Sequence, residues 1–130
     1  MTGKEKVTGI GGIFFKAGDP VALARWYREH LGVPVETGQT YATFTAGRSG
    51  SREQTVWSTF PEDTKYFAPS TFPFMINFRV ADLDAMLDQL RAAGVEVDDR
   101  VDKYEYGRFG WATDPEGHRF ELWEPVGSGF

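Results

Sequence analysis

The stretch INFRVAD, residues 76–82, decides the reading of this chain because it restates an earlier one, IFFKAGD, residues 13–19. Ile13, Phe15, Lys16 and Asp19 correspond at constant spacing to Ile76, Phe78, Arg79 and Asp82. In both copies the alternating apolar positions describe a strand, and the closing Asp is a good helix N-cap. Repetition of a strand with its helix start marks two copies of one supersecondary unit.

Working outward, Pro20 occupies the first helical position after Asp19, and Leu23, Tyr27 and Leu31, with Ala24 beside them, form one apolar stripe before Gly32. These signals predict a helix over 20–31. After Asp82, Leu83, Met86, Leu87 and Leu90 recur at helical spacing before Gly94, predicting a second helix over 83–93. LGVPV (31–35) mirrors AGVEV (93–97), and QTVWSTFP (54–61) lies opposite HRFELWEP (118–125). Each half therefore reads as strand, helix and three strands.

The expected fold class is α+β, a single domain over 1–130 with two tandem βαβββ modules. The modules run from about 8 to 61 and from about 73 to 126, joined by a turn-rich linker at about 62–72. Side by side they make a curved mixed sheet with a concave cavity and with the helices on its outer face. Gly47 to Glu53 (GRSGSRE) reads as a mobile polar hairpin loop.

Composition removes several classes of function. A chain of 130 residues suits one core, and no apolar run approaches the ~18 to 20 residues of a membrane helix. The N-terminus MTGKEKVTGIGG has no apolar core of a signal peptide, so a soluble, cytoplasmic chain is expected. Without cysteine it has no disulfide, thiolate zinc site or cluster ligand of its own. A net charge of -5 argues against nucleic acid, whose binding rests on Lys and Arg.

Phe15 through Asp19-Pro20, Trp26, Tyr27 and Leu31-Gly32, together with the terminal DPEGHRFELWEP, resemble the two signatures of the glyoxalase/bleomycin resistance/dioxygenase, or vicinal oxygen chelate, superfamily. The resemblance spans nearly the whole chain. It implies a homodimer and, in metal-using members, one metal ligand from the first and the last strand of each half. Carried over, those positions fall on Gly12 and Trp57, then Met75 and Glu121. Only Glu121 suits a hard or borderline ion, since glycine and indole offer no ligand and a thioether favours soft metals. His30, at the end of the first helix, and His118, before the last strand, do not complete the set. A divalent metal is thus disfavoured as cofactor, and no metal ligand is assigned.

Strand alternation sends Ile13, Phe15, Ile76, Phe78, Val80, Phe120 and Leu122 toward the helices as core. It sends Phe14, Lys16, Trp57, Met75, Asn77, Arg79, Arg119, Glu121 and Trp123 to the concave side, the composition of a small-molecule pocket. Glu121 then needs a partner. Either Arg79 or Lys16 forms a salt bridge to it, or it accepts from a ligand or serves as general base. Tyr104, Tyr106, Phe109 and Trp111, with Tyr66 and Phe67 from the linker, are either stacking surfaces at the cavity mouth or packing. Gly107 and Gly110 flank Arg108 and Phe109 in a segment able to bend.

Three functions remain, one of them a purely structural or protein-interaction module, which predicts a filled or collapsed cavity; the other two use the concave face. The first is a metal-independent protein of the bleomycin-resistance type that binds an aromatic or planar small molecule through Phe14, Lys16, Trp57, Met75, Asn77, Arg79, Tyr106, Trp111 and Trp123. The second is an enzyme, a glyoxalase-like lyase or isomerase or a dioxygenase relative, with Glu121 as catalytic base or part of an atypical metal site.

Overall fold

The structure, a computed structural model, describes residues 4–45 and 54–126. The 47–53 loop lies outside the described residues. The elements run β1 (Val7–Ala17), α1 (Pro20–Leu31), β2 (Tyr41–Thr45), β3 (Gln54–Pro61), β4 (Phe74–Val80), α2 (Leu83–Ala92), β5 (Glu96–Val97), β6 (Asp102–Tyr104), β7 (Gly107–Thr113) and β8 (Arg119–Pro125). One mixed sheet takes the order β2-β3-β1-β4-β8-β7-β5, with β6 paired to β7.

Both helices begin as their sequences dictate. Asp19 accepts from the Ala22 N–H and Asp82 from the Ala85 N–H, each satisfying a donor that the first helical turn leaves free. Gly32 closes α1 in the left-handed region at φ 72°, where its N–H reaches the Arg28 and Tyr27 carbonyls.

The two halves differ after their helices. In the second, Glu96 and Val97 pair with Thr113 and Ala112 as a short strand. The matching 31–35 segment is no strand, because Pro34 has no N–H to give to a ladder. Val33 and Val35 still bury, against Ala24 and Ala42.

The helices cover the flanks of the outer face and leave its centre open. Leu83, Met86 and Leu87 of α2 bury against Val80 and Leu122, with Phe78 and Phe120 packed beside them. On the other flank Phe15 meets Tyr27 and Trp57 edge-on. Ile13 and Ile76 pair on the central β1–β4 ladder between the helices, and Ile13 keeps 45% exposure. The expectation that Ile13 belongs to the core is therefore corrected, since neither helix reaches it.

Two register shifts in β1, between Val7 and Gly9 and between Ile10 and Gly12, insert extra residues opposite β4. They fall in the glycine-rich VTGIGG. The second places Gly12 opposite Asn77 and lets Gly11 also border the concave side.

Candidate functional site

A row of residues crosses the concave face in register. Thr43 pairs with Val56, Val56 with Gly12, Gly12 with Asn77, Asn77 with Glu121, and Glu121 with Trp111. Above it lies a cavity of about 490 Å³ lined by Gly11, Phe14, Tyr41, Thr43, Gln54, Val56, Phe60, Tyr66, Asn77, Tyr106, Phe109, Glu121 and Trp123.

Glu121 anchors the floor with only 1% exposure. Its Oε1 accepts from Asn77 Nδ2 at 2.6 Å. Its Oε2 accepts from Trp111 Nε1 at 2.9 Å and from the Tyr66 hydroxyl. These donors come from β4, β7 and the linker, and all three are neutral. Burial pushes the Glu121 carboxyl above its ordinary range, against the opposing pull of those donors and of the Arg119 charge. Tyr66 is raised as well, by burial and by the carboxylate beside it, so it stays a hydroxyl donor.

The salt bridge expected from Arg79 or Lys16 is not what satisfies Glu121. Arg79 donates to the Ile10 and Gln54 carbonyls, lying where Gly9 leaves space for it. The Lys16 ammonium sits 5.7 Å over the Phe67 ring. Both are drawn away because backbone acceptors and an aromatic face lie nearer to hand.

The linker accounts for three further placements. Phe67 is fully buried among Phe14, Met75 and Trp111, so the chain between the halves folds into the concave face. Met75 and Trp111 consequently lie beneath that plug instead of on the cavity wall, and Lys16 is stacked on it. Trp111 is further clasped between the Arg100 and Arg119 guanidiniums, 5.1 and 5.2 Å from its ring. Arg119 in turn bonds Asp98 at 2.9 Å. Phe14, Asn77, Tyr106, Glu121 and Trp123 border the cavity, and Arg79 stands behind its rim.

Trp57 is a correction. Matching Pro61 to Pro125 sets it level with Glu121, but the ladders pair Ile13 with Trp57 and Ile76 with Phe120. Trp57 thus corresponds to Phe120 and faces α1, where it meets Tyr27 at 4.9 Å. The counterpart of Glu121 is Ser58. A one-residue slip exchanges the two faces of a strand, and the same slip concealed Val56 and Gln54 as wall residues.

His30 lies beside Trp26 on α1, and His118 pairs with Asp114 and stacks on Phe72 outside the cavity. The positions that would ligate a metal are thus Gly12, Ser58, Met75 and Glu121. Gly12 offers no side chain, the Ser58 hydroxyl donates to the Thr59 carbonyl, and Met75 is buried in the apolar cluster. No group of three His, Asp or Glu that could hold a metal ion occurs among the described residues. Divalent sites usually draw four or more N, O or S donors, so this set does not fit one.

The Glyoxalase-like domain family matches residues 12–123. The chain belongs to that family. Solved structures of the vicinal oxygen chelate superfamily share its fold. Methylmalonyl-CoA epimerase from Mycobacterium tuberculosis is 24% identical, with 98% of this chain and 94% of that chain covered and a TM-score of 0.63. A Streptomyces coelicolor methylmalonyl-CoA epimerase in complex with 2-nitronate-propionyl-CoA is 22% identical, with coverages of 94% and 100% and a TM-score of 0.70. A glyoxalase/bleomycin resistance protein/dioxygenase superfamily member from Vibrio splendidus 12B01 is 12% identical, with coverages of 92% and 98% and a TM-score of 0.56. At such identities the likeness concerns the fold. No curated protein matches the chain by sequence. No helix among the described residues is long and apolar enough to cross a membrane.

Proposed function

We propose that this glyoxalase-like protein binds a planar small molecule in its concave cavity without a metal ion, with Glu121 as the polar anchor. The observation that carries this reading is Glu121 itself, a buried carboxylate held by three neutral donors on the floor of an otherwise largely aromatic cavity. A few fixed polar groups among apolar walls are how small-ligand sites combine affinity with orientation. The walls favour flat ligands, since Phe60 stacks on Tyr66 at 5.6 Å and Phe109 on Trp123 at 5.8 Å, each pair within 5° of parallel. The same reading takes the working unit to be a homodimer.

Thermal unfolding against a library of aromatic metabolites, with and without chelator, tests this. A ligand at one hundred times its Kd stabilises the native state by about 2.7 kcal/mol, which corresponds to about 10 °C for a chain of this length. Stabilisation that survives chelation is expected. Absence of any stabilising ligand, or its loss on chelation, overturns the reading.

One observation favours a second reading, an isomerase or lyase with Glu121 as base. Burial raises its affinity for a proton, as a general base at neutral pH requires. Methylmalonyl-CoA epimerases are among the proteins that share the fold. In this case Glu121→Gln abolishes turnover and leaves ligand affinity within a few-fold, whereas a pure binding protein shows no turnover to lose.

A further inference from the structure

Resting on the small-molecule reading above, we propose that the cavity selects by charge, admitting planar ligands that present N–H donors and excluding carboxylates and phosphates. The first support is acceptor capacity left over at the floor. A carboxylate offers about four lone-pair positions, and the protein fills three, two on Oε2 and one on Oε1. Next to it, Asn77 Oδ1 is buried and has no donor. It lies in the space that Gly11 leaves open, 2.2 Å from where a Cβ on that residue would stand. The unfilled position on the Glu121 carboxylate, which borders the cavity, calls for a ligand that donates.

The second support is the absence of a counter-charge. Among the described residues no Lys, Arg or His lines the cavity. The cations around the concave face are engaged with other groups. Arg79 bonds the Ile10 and Gln54 carbonyls, Arg100 bonds Asp102, Arg119 bonds Asp98, and Lys16 covers Phe67. An anion entering this space loses its water, gains no positive partner among the described residues and meets the Glu121 carboxylate. An amine, amidine or amino-heterocycle of the same shape meets acceptors instead.

Matched planar bicyclic probes test the proposal on the full chain by calorimetry, for example 2-aminoquinoline, quinoline and quinoline-2-carboxylate within a larger set of such trios. The amino members are expected to bind at least about tenfold more tightly than the carboxylates. Glu121→Gln is expected to reduce that preference to about threefold or less. Its amide can be accommodated if Asn77 turns its unpaired oxygen toward it, and circular dichroism verifies folding. Thr43→Lys, at the exposed rim of the same residue row, is the second variant and is expected to strengthen carboxylate binding. Should Glu121→Gln fail to fold, Thr43→Lys decides. Carboxylates that bind as well as amines, or a preference unchanged in either folded variant, overturn charge selection while leaving the small-molecule reading intact. No binding in any charge class removes both.

Discussion

Replacing Trp111 by Phe removes one of the three donors to Glu121 while keeping an aromatic ring in the buried cluster. The hydrogen bond lost is the 2.9 Å contact from the indole N–H to Oε2. Such a bond contributes about 1.5–3 kcal/mol when the acceptor is ionised and about 0.5–1.5 kcal/mol when both groups are neutral. The substitution therefore costs about 1–1.5 kcal/mol more with Glu121 ionised than with it protonated. That difference amounts to about one further unit of upward pKa shift. The lost ring volume and the weaker contacts with Arg100 and Arg119 contribute a cost that does not depend on this proton.

The sign follows from the direction of the shift. Burial already raises Glu121 above its ordinary 4.5, so the native state holds the proton more tightly than the unfolded chain. Its contribution to stability is complete below that pH and is lost as pH rises through the native value. Trp111→Phe moves the native value higher, so the gap from wild type is smallest below the wild-type native value, widens as pH rises through it and levels off above the variant's. Asp98, Asp102 and Asp114 are lowered by their Arg and His contacts and by backbone donors, and they titrate below this window. Urea denaturation from pH 4.5 upward through the titration of Glu121 measures the gap. Once pH has passed both native values, the variant should show about 1–1.5 kcal/mol more destabilisation, equivalent to about 4–6 °C in Tm. A gap that stays constant as Glu121 titrates, or that grows toward acid, refutes the role given to the indole.

Gly11→Ala brings a Cβ to 2.2 Å from Asn77 Oδ1 and 3.0 Å from the Trp123 ring. Displacing Asn77 from Glu121 should cost about 2–4 kcal/mol in urea denaturation, and an unchanged midpoint would show that Asn77 has room to move. Gly32→Ala meets open space but must adopt φ 72°, so its cost of about 1–2 kcal/mol is conformational alone, read as a fall in Tm with no change in ligand affinity. Asp19→Ala removes the side-chain cap of α1 and should cost about 1 kcal/mol by thermal unfolding. At α2 the Leu83 N–H is held separately by Glu124 at 2.7 Å, so Asp82→Ala should leave the start of that helix better protected in hydrogen exchange than Asp19→Ala leaves the start of α1.

What the sequence reveals here is local, and what it conceals is register. IFFKAGD and INFRVAD announce a strand and a capped helix within a few residues of each other, so the repeat and both helices can be read directly. The facing of β3 depends on which residue stands beside Ile13, and matching Pro61 with Pro125 answers that question one position out. Trp57 thereby changed faces with Val56. The bulges in β1 are foreshadowed only by the glycines of VTGIGG, which give no indication that Gly11 borders the cavity while Gly12 pairs with Asn77. The linker posed the opposite difficulty. Its turn formers suggest a surface connection, yet Tyr66 and Phe67 side by side within it are the signal that it enters the concave face, where Tyr66 becomes a partner of Glu121.

The same insertion explains why a carboxylate can persist on this floor. A strand residue between Phe120 and Leu122 has no ion-pair partner among the described residues, the Arg119 charge acting on it only from a distance, and an unpaired ionised group there would be severely destabilising. Neutral donors from three separate elements hold the carboxyl without bringing a positive charge into the cavity. Burial nevertheless outweighs them in setting the direction of its pKa. Glu121 is therefore incompletely compensated, and Asn77 Oδ1 beside it has no donor at all. Native proteins leave few buried polar groups in that condition, and those they leave tend to mark function. A ligand N–H donated to the remaining position on Glu121 would compensate that carboxylate further, coupling recognition to the stability of the floor itself.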